Sequence, residues 1–183
     1  KMSFWEKQLI LMEKDEQLKK DKDLQYDVLY YHYGYIGWAL GVGNKRKAQH
    51  YLSIADSILS VYQKNNAVPT EIYALKSALV GFRIAISPIT APVNGIQSVN
   101  LLTKAMKAAP YNPLVWMENA NSLNYRPSFL GGDKQAAVQA YEKTIQYFEK
   151  TPENLKNNWL YLNTHVLLGK TYTEINQKEK AQS

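Results

Sequence analysis

The chain of 183 residues contains no cysteine. Disulfides, thiolate metal sites and a cysteine nucleophile are therefore excluded. Arginine is scarce as well, with only Arg46, Arg83 and Arg126. A nucleic-acid binder usually clusters arginine on one face, so this scarcity argues against nucleic acid despite the net charge of +6. No apolar run reaches the roughly 18 residues that a membrane-spanning helix needs. The alternating Ile/Val pattern of strands is scarce. HExxH, GxSxG, Walker and GxGxxG motifs are all absent. His32, His50 and His165 have no ligand partner at metal spacing, and most acidic residues fall in solvated runs. The chain reads as neither an enzyme nor a metal protein, and no cofactor is implied.

What the chain does have is apolar residues, 45% of the total, and 14 tyrosines. Tyrosine pairs an apolar ring with a polar tip, which suits half-buried surfaces. The spacing predicts eight helices and the start of a ninth. The first is opened by a Ser3/Glu6 capping box and carries Phe4, Leu11 and Leu18 on its apolar face. The next three run over about 24–40, 45–63 and 69–86, the last opening at Pro69-Thr70. The charged Glu13–Asp23 run reads as a solvated helix end. Asn94 is expected to cap a fifth helix and Asn112-Pro113 to open a sixth. Asp133 opens a seventh. Thr151-Pro152 repeats the cap-then-proline signal before an eighth, from about Leu155 to Ile175.

The helices repeat. Leu168-Gly169-x2-Tyr172-x8-Ala181 resembles the signature of the tetratricopeptide (TPR) family. Gly43-x4-Ala48-x6-Ala55, Ser98-x6-Ala105-x4-Pro110 and Gly132-x4-Ala137-x3-Tyr141 match it in part. The distances between the small residues exceed the family's roughly 34-residue period. The resemblance implies an all-α, right-handed superhelix of antiparallel hairpins. It would be one domain over 1–183, with an extra helix at 1–23, about four hairpins from 24 onward and the last incomplete. The Tyr125–Gly132 stretch is similar to bacterial exported TPR lipoproteins associated with tripartite solute transporters. It favours a periplasmic or exported location, with any membrane anchor on a removed N-terminus.

TPR proteins bind partners in a groove lined by the first helix of each hairpin. That register places Tyr30, Tyr33, Asn163 and Lys170 in the groove. Packing against the N-terminal helix, which could sit in that groove itself, explains the tyrosines somewhat better. Trp116 and Asn119 on the sixth helix are further candidates, since asparagine is mildly unfavourable inside a helix. Arg126 either binds a carboxylate or holds its own loop. Arg83, inside the apolar run 78–86, must be paired or reach water. The expected function is a non-catalytic scaffold for a peptide or protein partner. The alternative is an exported accessory protein that holds a small ligand.

Overall fold

A computed structural model describes residues 2–64, 70–177 and 179–181. The described residues form eight α-helices: α1 (Met2–Glu13), α2 (Lys22–Gly41), α3 (Lys45–Lys64), α4 (Glu71–Ile86), α5 (Ala91–Ala108), α6 (Pro113–Tyr125), α7 (Lys134–Glu149) and α8 (Trp159–Glu174). The fold is all-α, with helices packed as antiparallel pairs. The chain groups into two compact units, Lys1–Asn100 and Leu101–Ser183.

In the first unit, α2 packs on α3 and α4, and α1 rests on α2. Ala48, Tyr51, Leu52, Ala55, Ile58, Leu59 and Tyr62 of α3 are all buried. Recurring separations of three, four and seven residues among them put them on one helix face. Ala39, Ala48 and Ala55 are fully buried and leave room for close helix approach. Gly43 closes the α2–α3 turn at φ 75°, a left-handed conformation that glycine adopts without a Cβ penalty. Asn44 then caps α3, its side chain accepting from Lys47 N at 3.0 Å. Ser98 ties α5 to α4 by accepting or donating at Ser77, the hydroxyls lying 3.0 Å apart.

In the second unit, α7 packs on both α6 and α8. Asn112, Asp133 and Asn158 cap the three helices by accepting backbone N–H groups. The first two caps are the ones expected from sequence. The third is not. Thr151-Pro152 opens a short 3-10 turn over Pro152–Asn154, and α8 begins four residues later than expected. Asn94 likewise caps nothing. A 3-10 turn at Pro88–Thr90 runs directly into α5, so Asn94 sits inside the helix. The Pro69 start falls outside the described residues.

Two expectations for the first helix fail together. Ser3 lies inside α1, and the Glu6 carboxylate bonds to Lys47 and Tyr51 instead of the helix start. Phe4 and Leu11 are 66% and 62% exposed, whereas Leu9 is fully buried. The helix rests on Trp5, Leu9 and Met12, a face rotated from the heptad line. Burying Leu9 contributes about 2 kcal/mol.

Candidate functional site

The residues singled out from sequence fall in both units. Tyr30 is half-buried on α2, stacked on Tyr26 with centroids 6.4 Å apart and edge-on to Tyr31 at 6.2 Å. Tyr33 is 5% exposed and stacks on Phe82 of α4 at 5.9 Å, so its ring is part of the core. Burial raises the Tyr30 hydroxyl well above the usual tyrosine range.

In the second unit, Trp116 donates its indole N–H to the Pro110 carbonyl at 2.7 Å. Lys143 sits 4.3 Å over its ring. Asn119 is half-buried and shares a face of α6 with Ser122 and Arg126, at spacings of three and seven. Arg126 donates to Ser122 Oγ and to the Leu130 carbonyl, and so holds its own loop. Burial lowers its guanidinium below the usual range. On α8, half-buried Asn163 and exposed Lys170 lie on one face with Val166, which is 52% exposed. Thr164 of α8 reaches Met117 of α6, hydroxyl to sulfur, at 3.4 Å. Gly169 lies beside Ala181, where a Cβ would stand 3.7 Å from the Ala181 carbonyl oxygen.

The loop after α6 is firmly built and carries exposed apolar side chains. Leu130, Gly131 and Gly132 donate to Pro127, Ser128 and Pro127 at 2.9, 2.9 and 3.0 Å, and Asp133 donates to Leu123 at 2.9 Å. Tyr125, Phe129 and Leu130 nonetheless stand outside, with Phe129 84% exposed. Arg83 pairs with Asp56 at 2.5 Å and needs no external partner. The two residues, with Leu59, Lys64 and Lys76, line an open surface depression of about 430 Å³.

A cluster that sequence reasoning missed joins α1 to α2 and α3. Both Glu6 carboxylate oxygens lie 2.8 Å from Lys47 Nζ, and Tyr51 donates to Glu6 at 3.0 Å. Lys47 also donates to the Tyr35 hydroxyl at 3.3 Å. The hydrogen bond from Lys47 holds the Glu6 carboxyl below its ordinary range, and burial opposes this only in part. Tyr35 and Tyr51 are raised, first by burial and then by bonding to Glu6. Rings surround the cluster. Trp5 meets Tyr31 edge-on at 6.2 Å, and Tyr35 contacts Trp38 at 5.2 Å and Tyr51 at 4.8 Å. His32, fully buried, lies 5.8 Å from Tyr51. Its Nδ1 is 2.8 Å from the Val28 carbonyl oxygen and its Nε2 is 3.0 Å from Glu13 Oε1. The partners are 41 and 45 residues apart for Glu6, which no local pattern reveals. Among the described residues no three His, Asp or Glu side chains group as metal ligands.

No protein-family model matches the chain, and no curated protein matches it. The TPR resemblance thus rests on the motifs quoted. Among solved structures the chain is similar to the HusA haemophore from Porphyromonas gingivalis, with a TM-score of 0.66 and 26% sequence identity over 84% of this chain and 76% of that one. The two share an all-helical fold, and that partner in the comparison is a haemophore.

Proposed function

We propose that this protein is a non-catalytic binder of a small, flat, largely apolar ligand bearing carboxylates, with haem or a related tetrapyrrole as the ligand class. The observation that carries this reading is the likeness to a haemophore over most of the chain. The residues present fit such a ligand. Aromatic side chains can face a macrocycle, and lysines can meet its acid groups. Asn163 and Lys170 on the face of α8, Asn119 on α6 and Arg126 just after it remain proposals for contacts to ligand or partner. An exported location belongs to the same proposal and rests on the Tyr125–Gly132 motif.

A titration of the full chain with haemin and with metal-free protoporphyrin IX tests the reading. Saturable Soret changes and quenching of tyrosine and tryptophan fluorescence are expected, with micromolar or tighter affinity, about −8 kcal/mol. Absence of saturation for both ligands would sink it.

A second reading, a protein-binding scaffold, is favoured by one feature. A loop with fixed backbone that holds Tyr125, Phe129 and Leu130 in solvent suits an interface. Loss of a captured partner on Phe129→Ser would support that reading, and retention would remove it.

A further inference from the structure

Helix α1 buries only Leu9 of its twelve residues, yet three of its side chains converge on one patch of α2 and α3. Trp5 packs on Tyr31 and Tyr35, with centroids 6.2 and 6.5 Å away. Glu6 sits in a clamp of Lys47 and Tyr51, and Tyr35 holds the lysine. Glu13 approaches His32. A flat ring on aromatic side chains, a carboxylate held by a cation and a phenol, and an oxygen at an imidazole nitrogen are the contacts a ligand would make.

His32 supplies an independent observation. A carbonyl oxygen only accepts, so the nitrogen beside Val28, Nδ1, carries a hydrogen. Its Nε2 faces Glu13 Oε1. Neither of these buried atoms makes a well-directed hydrogen bond, although they are 3.0 Å apart. An imidazole anchored through Nδ1–H to a backbone carbonyl, with Nε2 left over, is the arrangement that metal-ligating histidines use.

We propose that the face of α2 and α3 beneath α1 is the site for a flat, carboxylate-bearing tetrapyrrole, and that α1 fills it as an internal stand-in. The proposal rests on the tetrapyrrole reading above. Glu6 takes the place of the ligand's carboxylate at Lys47 and Tyr51, and Trp5 takes the place of its ring on Tyr31 and Tyr35. With Glu13 displaced, His32 Nε2 would be the atom able to hold the ligand's metal. Glu6 and Glu13 are seven residues apart on one helix, about 10 Å along its axis. The clamp and the imidazole are thus separated by a length suited to a macrocycle and its acid arm. Helix α1 is suited to displacement, because little apolar surface holds it and elements of that kind open at low free-energy cost. Ligand and helix compete for the same side chains, so weakening the grip of α1 strengthens binding.

The test uses the full chain, titrated with haemin and with metal-free protoporphyrin IX, and each variant is first checked for unchanged helicity and melting. Glu6→Gln removes the charge from the stand-in and is expected to tighten both ligands about tenfold, the worth of one charge-assisted hydrogen bond. Adding Lys47→Met to that variant is expected to abolish the gain. Glu13→Ala is expected to tighten haemin more than the metal-free ring, because only iron can use the freed Nε2. If the wild type binds haemin and neither Glu6→Gln nor the double variant changes affinity beyond about twofold, the proposal is overturned and the tetrapyrrole reading stands. If neither ligand binds to the wild type or to Glu6→Gln, both fall.

Discussion

The two compact units both bury tyrosines, and the first satisfies one of their hydroxyls from a source the second does not use. In the second unit, fully buried Tyr141 donates to Asn121 at 2.8 Å, and Asn121 donates on to Glu118 at 2.9 Å. Tyr172 donates to Glu142 of α7, and burial with that bond pushes its hydroxyl up to about 12. Every partner belongs to the packed helices α6, α7 and α8. In the first unit, Tyr51 depends on Glu6, which sits on the peripheral helix α1. A network built within the packed helices fixes the unit, because breaking it leaves buried polar groups unpaired. A network that borrows its acceptor from an outlying helix can exchange that acceptor for another carboxylate.

The turns of the two units give the largest test of this difference. A Cβ on Gly132 would lie 1.8 Å from the Arg126 carbonyl oxygen and 2.6 Å from its carbon, both backbone atoms. Gly132→Ala must therefore displace the loop that Arg126 straps down, and a loss of about 3 kcal/mol is expected. Gly43 has a positive φ but nothing within 4 Å of its added Cβ. Gly43→Ala should cost only the conformational strain, about 1 kcal/mol. Urea midpoints with unchanged m-values measure both. Equal losses would show that the second unit's loop is no more constrained than the first unit's turn.

That contrast also marks what the sequence made legible. Caps and turns depend on residues two to four apart, and Asn112, Asp133, Gly43 and Gly132 are all readable on that scale. The small residues Ala48, Ala55 and Ala137 are buried as the repeat motif requires. The face of α1 was not readable, because the Glu6 contacts to Lys47 and Tyr51 help orient it and the Phe4/Leu11 periodicity does not. Tyr33 shows the other limit. Repeat register gives its direction from the helix but not that Phe82 of α4 covers it. The Glu6–Lys47–Tyr51 cluster and the His32–Glu13 approach arise only from tertiary packing, across separations that hydrophobic patterning does not report.

A pair of hydroxyl deletions sharpens the comparison at smaller scale. Tyr141→Phe removes the hydrogen bond that a fully buried ring makes to Asn121 and should lower global stability by about 1–2 kcal/mol. Tyr51→Phe removes a donor to Glu6, but Lys47 still holds that carboxylate, and a loss below about 1 kcal/mol is expected. Its effect should appear as faster hydrogen exchange in α1 with little change elsewhere. Global destabilisation by Tyr51→Phe equal to that of Tyr141→Phe would mean that α1 unfolds only with its unit, and the distinction between fixed and borrowed networks would disappear.

The smallest effect is the pH dependence of α1. Lys47 depresses the Glu6 carboxyl in the folded state, so the folded chain binds that proton less readily than the unfolded chain. The resulting stabilisation is present above the ordinary glutamate pKa of about 4.3 and is lost as the pH falls through the lower folded value. Glu6 keeps a quarter of its side chain in solvent and Lys47 nearly a third, so solvent screening holds the contribution below about 1 kcal/mol. Protection factors of the α1 amides, which correct for the intrinsic pH dependence of exchange, should accordingly fall below about pH 4 in the wild type. Glu6→Gln should show protection already lowered at neutral pH and without that acid component. Other carboxylates titrate in the same range, so the informative quantity is the difference between wild type and variant. An identical pH profile in both would place the anchorage of α1 on Trp5 and Leu9 alone, and Glu6 would then be an incidental ion pair and no occupant of a carboxylate site.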